Sequence, residues 1–165
     1  MISEEEIQSR VEEMGRQIAA DFNGQPITVV GVLTGCLVFV ADLIRQMDFP
    51  VRLCFVRASS YRGTTTVPGN LTIDSSFLPD VEGRDILLVD DILDSGQTLK
   101  GLMEHLREKG CASIRTAVLL RKKGKQQYAI EPDYRGFDIP DTFVVGYGLD
   151  FNDEYRNYPY LGILE

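Results

Sequence analysis

Apolar positions along the chain follow two rhythms. Ile7, Val11, Met14 and Ile18 recur at three- and four-residue steps, the period of one helical face. Ser3 and Glu6 stand ahead of them in the S-x-x-E spacing of a capping box, so 3–22 is predicted as an amphipathic helix. "NGQP" breaks it. The β-branched run "ITVVGVL" (27–33) predicts a buried strand, and "TGCLVFVADLIRQM" begins with a glycine turn and continues as an apolar helix. "VRLCFVRA" (51–58) alternates and predicts a second strand; "DILLVDD" (85–91) predicts a third. A helix follows over 97–109, with Leu99, Leu102, Met103 and Leu106 facing inward and Gly110 ending it. "IRTAVLL" (114–120) and "FVVGYGL" (143–149) predict a fourth and a fifth strand. Only "SSYRGTTTVPGNLTID" (59–74) lacks a period; it reads as a long loop or loose hairpin, and long loops in compact domains tend to carry function.

Strands that are almost continuously apolar and alternate with helices imply an α/β fold, a mostly parallel twisted sheet flanked by helices. Ligands of such sheets bind where loops leave the carboxyl ends of the strands. Three loops qualify: "LTGC" after the first strand, "DDILDSGQT" after the third and "RKKGK" after the fourth. They are expected side by side at one edge of the sheet.

The stretch "ILLVDDILDSGQTL" (86–99) concentrates the chemistry. It drives Asp90, Asp91 and Asp94 to the mouth of a buried strand, where like charges repel. The turn Asp94-Ser95-Gly96-Gln97-Thr98 then opens a helix, whose unpaired N–H groups and positive dipole end suit a phosphate. Ser95 and Thr98 add hydroxyl donors. Carboxylates beside a phosphate make sense when the ligand also brings hydroxyls, as a ribose does, and when a divalent cation offsets the charge. The pattern points to a sugar phosphate with a metal. One such acid alone would read as an N-cap or a solvated strand end; the whole string does not.

Composition narrows the partners. The chain has 165 residues and a net charge of −8. That size suits one domain, and that charge argues against a general nucleic-acid binder, which needs a basic face. Three cysteines without CxxC spacing suit reduced thiols in a cytoplasm. The acidic start "MISEEEIQSR" is unlike a signal peptide, and no apolar run reaches the ~20 residues needed to span a membrane.

The 86–99 stretch closely resembles the phosphoribosyl-pyrophosphate (PRPP) signature of the type I phosphoribosyltransferases. Along most of its length the chain is similar to their hypoxanthine-guanine branch. "VVGVLTG" resembles the pyrophosphate loop, "SSY" the mobile loop, and "LLRKK" with "PDYRGFDIPDTFVVGYGLDFNDEYR" the purine-binding half. The resemblance implies a single domain, with a core over about 1–122 and a hood over about 123–165. It implies transfer of phosphoribosyl from PRPP to hypoxanthine or guanine, with Mg2+ as cofactor and a homodimer or homotetramer as the assembly.

The resemblance also assigns roles. Asp90 and Asp91 would accept from the ribose hydroxyls, and Asp94 would handle the proton at purine N7. Residues Asp94, Ser95, Gly96, Gln97 and Thr98 would cradle the 5′-phosphate. The backbone at Thr34 and Gly35 would meet pyrophosphate, together with Arg156. Lys122 would donate to purine O6, which requires a 6-oxopurine and not adenine. Phe143 would stack on the base, the backbone at Val144 would read its edge, and Asp150 would hold magnesium. Ser60 and Tyr61 would belong to a lid.

At Thr34 the chain departs from the family, which usually has Lys or Arg there. The peptide entering that position is often cis in the family, so Leu33–Thr34 is expected to be cis or able to become cis. His105 reads as a surface residue and Cys36 as a packing residue. Xanthine as the base, an RNA-binding attenuator on the same fold, and a PRPP-binding protein without catalysis are the rival readings.

Overall fold

A computed structural model of the chain describes residues 1–60 and 71–164. Helix α1 (Glu4–Phe22) begins as its capping box dictates: Ser3 Oγ accepts from the Glu6 N–H at 3.2 Å and Glu6 Oε2 accepts from the Ser3 N–H at 2.8 Å. Ile7, Val11, Met14, Ile18 and Phe22 form its buried stripe. There follow β1 (Ile27–Leu33), α2 (Leu37–Ile44), β2 (Val51–Ser60), β3 (Leu71–Asp74), β4 (Asp85–Leu93), α3 (Gln97–Glu108), β5 (Ser113–Lys122), β6 (Tyr134–Ile139), β7 (Val144–Val145) and β8 (Gly162–Ile163).

Six strands form one sheet in the order β3-β2-β1-β4-β5-β6. Every neighbouring pair is parallel except β2 with β3. Side chains alternate across it, as the pleat requires. Leu87 and Val89 of β4 join the core formed with α1 and α2, while Ile86 and Leu88 join the core formed with α3. From β1 the chain crosses by α2 to β2 on one side; from β4 it crosses by α3 to β5 on the other. The carboxyl ends of β1 and β4 therefore flank the point where the winding reverses, the crevice that α/β sheets use for ligands.

The expected α/β class and the first four strands stand as read, with two strands added. β6 closes the edge beyond β5, although it lies in the stretch expected for the hood. β3 pairs antiparallel at the opposite edge, so the ends of the aperiodic 59–74 stretch form a hairpin: Ala58 pairs with Ile73 and Ser59 with Thr72. Tyr61 and the rest of the expected lid through 70 lie outside the described residues. The fifth expected strand is not part of the main sheet. Only Val144–Val145 is extended, paired with β8 in a separate two-stranded sheet, because Gly146 (φ 100°) and Gly148 (φ 99°) turn the chain immediately afterwards. His105 is half-buried, its Nε2 3.3 Å from Ser75 Oγ. Among the described residues, no helix is long and apolar enough to cross a membrane.

Candidate functional site

The three loops expected at one edge do converge. A cleft of about 320 Å³ opens at the ends of β1 and β4, lined by Thr34, Gly35, Asp90, Asp91, the 94–96 turn, Thr98, Asp150 and Arg156. A shallower extension of about 240 Å³ runs on past Asp91 and Asp94 to Lys122, Phe143, Val144 and Asp150. Of the residues named from sequence, Gln97 starts α3 without lining either part. Ser60 ends β2, and Tyr61 falls outside the described residues.

β4 carries the acids to the floor. Asp90 is buried, 6% exposed, and its Oδ1 accepts from the Asp91 N–H at 2.9 Å; Asp91 Oδ1 in turn accepts from the Ile92 N–H at 2.8 Å. Burial pushes the Asp90 carboxyl well above the usual aspartate range, and the neighbouring Asp91 pushes it further. Burial raises Asp91 as well, against the opposing pull of hydrogen bonds and Arg156. Two desolvated carboxyls side by side favour a partner that brings hydroxyl donors or positive charge.

Beyond them the chain turns at Gly96, whose φ of 86° starts α3 and which, as a glycine, brings no capping side chain of its own. The helix end is thereby left to meet an anion. Ser95 Oγ accepts from the Gln97 N–H at 3.3 Å.

At the apolar end, Lys122 leaves the carboxyl end of β5 largely buried, at 13% side-chain exposure. Its Nζ lies 3.5 Å from Asp94 Oδ2 and 3.4 Å from Asp141 Oδ1. Asp141 also pairs with Lys125 at 2.6 Å, and that hydrogen bond holds its carboxyl below the ordinary value. Phe143 is half exposed toward this pocket, braced edge-on by Phe151 with ring centroids 5.7 Å apart, while Val144 beside it is buried.

The opposite end is built by the 146–156 loop. Arg156 donates to the Gly148 carbonyl at 2.8 Å and pairs with Asp150 at 2.9 Å. Asp150 Oδ2 also accepts from the Asp153 N–H at 2.9 Å. Leu33–Thr34 is a cis peptide, as expected, with the Thr34 side chain exposed at the cleft. Gly35 lies directly beneath the carboxylate of Asp91. Cys36 is a packing residue: burial, then Asp90 and Asp91, push its thiol far up.

Carboxylates lining the cleft are Asp90, Asp91, Asp94 and Asp150. Among the described residues, no group of three or more His, Cys, Asp or Glu side chains is arranged as a metal cage. This donor set suits magnesium, which keeps several waters and takes one or two carboxylates together with substrate phosphates.

Sequence reading did not single out Gln126. Its amide donates to the carbonyls of Lys122 at 2.5 Å and Asp94 at 3.3 Å, tying the two loops together. The Ser95 carbonyl accepts from the N–H groups of Gln127 and Tyr128 at 2.9 and 3.3 Å, completing the strap. No local pattern marks these positions, since the bonds run between loops distant in sequence.

The family model of the phosphoribosyl transferase domain matches residues 3–152. Over its whole length the chain is 43% identical to the hypoxanthine-guanine phosphoribosyltransferase of Bacillus subtilis (strain 168), covering 92% of that protein. It is 42% identical to the bifunctional protein TilS/HprT of Listeria innocua serovar 6a, of which it spans only 26%. A crystal structure of a hypoxanthine-guanine phosphoribosyltransferase (hpt-2) from Bacillus anthracis, with a HEPES molecule in its active site, matches with a TM-score of 0.94 at 38% identity. That match covers all of this chain and 97% of the other.

Proposed function

The chain belongs to the phosphoribosyltransferase family, in its hypoxanthine-guanine branch, and on that premise we propose how its cleft carries out purine salvage. The enzyme transfers phosphoribosyl from PRPP to N9 of hypoxanthine or guanine, giving IMP or GMP and pyrophosphate.

One observation carries the assignment of the base end. An ammonium and a carboxylate, Lys122 and Asp94, stand 3.5 Å apart beside an exposed aromatic ring. In a 6-oxopurine, O6 and N7 are neighbours on one edge, and they need a donor and a proton acceptor respectively. Lys122 donates to O6, Asp94 exchanges the proton at N7, Phe143 stacks on the ring, and the backbone at Val144 reads its far edge.

The ribose lies over Asp90 and Asp91, which accept from its 2′ and 3′ hydroxyls. The start of α3, from Asp94 through Ser95, Gly96, Gln97 and Thr98, holds the 5′-phosphate. Thr34 and Gly35 offer backbone N–H groups to the pyrophosphate, and Arg156 turns from Asp150 to its oxygens. Asp150 would hold Mg2+, which would supply positive charge against the departing pyrophosphate.

As the bond at ribose C1′ weakens, positive charge develops on the sugar. The carboxylates beneath stabilise it, and Arg156 stabilises the leaving group. Proton exchange at N7 by Asp94 contributes roughly 10²–10⁴-fold. Ser60 and Tyr61 belong to a lid that keeps water from PRPP. The stretch 123–165 serves as the purine hood of a single domain.

Family resemblance supports a homodimer or homotetramer, and the free thiols Cys36, Cys54 and Cys111 fit the cytoplasm. The test is a product assay with PRPP, magnesium and each of hypoxanthine, guanine, xanthine and adenine. IMP and GMP are expected. Equal turnover of adenine would overturn the Lys122 assignment.

A further inference from the structure

The loop that carries Arg156 has an unusual backbone. Gly146, Tyr147 and Gly148 are consecutive and all left-handed, with φ of 100°, 49° and 99°. Glycine tolerates this; tyrosine does so only when its surroundings fix it. Tyr147 is fixed twice. Its N–H donates to the Tyr158 carbonyl at 2.8 Å, and its buried hydroxyl donates to Asp42 Oδ2 on α2 at 2.6 Å.

The next residue, Gly148, does three things. Its N–H donates to the Arg156 carbonyl at 3.0 Å, and its own carbonyl accepts from the Arg156 guanidinium at 2.8 Å. It also packs so closely on the pyrophosphate loop that a β-carbon would lie 2.2 Å from the Gly35 carbonyl oxygen. Tyr147 thus stands one residue before the point where the 146–156 loop packs on Gly35.

We propose that Tyr147, latched to Asp42, is a positioning residue for the pyrophosphate end of the cleft. It holds Gly148 against Gly35 and so sets where the Arg156 guanidinium stands. It touches neither substrate. The base end has supports of its own: Lys122 hangs from β5, and the buried Val144 pairs with β8. Its loss should therefore weaken PRPP and pyrophosphate and spare the purine. The inference rests on Arg156 and Gly35 binding pyrophosphate.

The experiment compares the wild type with Tyr147→Phe, Asp42→Ala, Asp42→Asn, the double variant Tyr147→Phe/Asp42→Ala, and Arg156→Ala. Each is measured for KM of PRPP, KM of guanine, inhibition by inorganic pyrophosphate with magnesium, and Tm. Tyr147→Phe and Asp42→Ala should each raise the PRPP KM about tenfold, or ~1.4 kcal/mol, weaken pyrophosphate similarly, and leave the guanine KM within about twofold. The double variant should be no worse than either single one, because both remove the same bond. Asp42→Asn keeps an acceptor oxygen and should restore PRPP binding.

Additive losses, or equal rises in both KM values with a matching fall in Tm, would reduce Tyr147 to a packing role and overturn the proposal. So would an unchanged PRPP KM in Tyr147→Phe when Arg156→Ala raises it. An unchanged PRPP KM in Arg156→Ala itself would overturn the pyrophosphate assignment and the proposal together.

Discussion

Gly35 is a glycine because Asp91 occupies the place of its side chain: a β-carbon there would fall 1.6 Å from Asp91 Oδ2 and 2.6 Å from Asp91 Cγ. Any residue at 35 must push the carboxylate away from the cleft floor or distort the loop proposed for pyrophosphate. Gly35→Ala should already cost most of the activity and Gly35→Val nearly all of it. Steady-state assay with circular dichroism checks this; a Gly35→Ala enzyme within about threefold of wild type would mean the carboxylate moves without consequence.

Thr34, one residue earlier, behaves differently. Its side chain is exposed, so a charge placed there is screened by water. Thr34→Lys should change the KM for PRPP less than about tenfold. A larger improvement would show that the missing basic residue limits affinity.

Asp94→Asn tests proton exchange at N7. The amide still fits beside Lys122 but does not take the proton. The variant should lose roughly 10²-fold or more in kcat while PRPP still binds. Isothermal titration of PRPP beside the rate assay separates the two; a rate within about threefold of wild type would remove Asp94 from the chemistry.

Lys122→Met keeps the aliphatic stem and drops the donor. Leaving a buried O6 without a partner costs ~1–3 kcal/mol, so the KM for guanine and hypoxanthine should rise by roughly 5- to 150-fold, with PRPP little changed. Asp141 retains Lys125, so the loop should stay folded. An equal loss for PRPP would place the lysine on phosphate instead.

Asp90 links the site to stability. Burial raises its folded pKa above the ordinary 3.8, and Asp91 is raised too. The folded state therefore holds these protons more tightly than the unfolded chain. Their favourable contribution is complete below the unfolded pKa and is lost as pH rises through the raised value. The ligand-free enzyme should lose stability from about pH 4 upward. Asp90→Asn removes the buried charge and should flatten that slope, raising Tm at neutral pH by about 2–4 °C for each kcal/mol gained, while PRPP binding is lost. Thermal melts across pH decide it; an Asn variant that melts lower at neutral pH would contradict the buried-charge account.

Much of the molecule was legible before any coordinates. The buried strands announced themselves as β-branched runs, and Ser3 with Glu6 marked where α1 begins. The convergence of the three loops followed from strand polarity alone. What escaped was governed by edges and glycines. β6 carries Arg135, Gly136 and Asp138 because it lies at the rim, and Gly136 is there because a β-carbon would meet the Leu119 carbonyl oxygen at 2.3 Å. A strand built that way has no apolar rhythm to read. β3 is short and half exposed, with the same result. In "FVVGYGL" the glycines were the overlooked signal, since they end the strand after Val145. Asp150 and Arg156 could be named one by one, but their mutual pairing at 2.9 Å depends on a left-handed loop that no spacing rule describes.

The pairing of β4 with β5 makes the sheet itself a ruler. The acids proposed for the sugar stand near the carboxyl end of one strand and the lysine proposed for the base ends the next, at the ~4.8 Å pitch of adjacent strands. That pitch belongs to the backbone ladder and is the same whatever side chains decorate it. On the proposed assignment, the sugar and base sites are thus held at a separation that surface mutation does not adjust, while Phe143, Val144 and the turns around them lie outside that ladder. On that assignment, the ring contacts other than those of Lys122 and Asp94 can change through the residues after β6, with the ribose side left as it is.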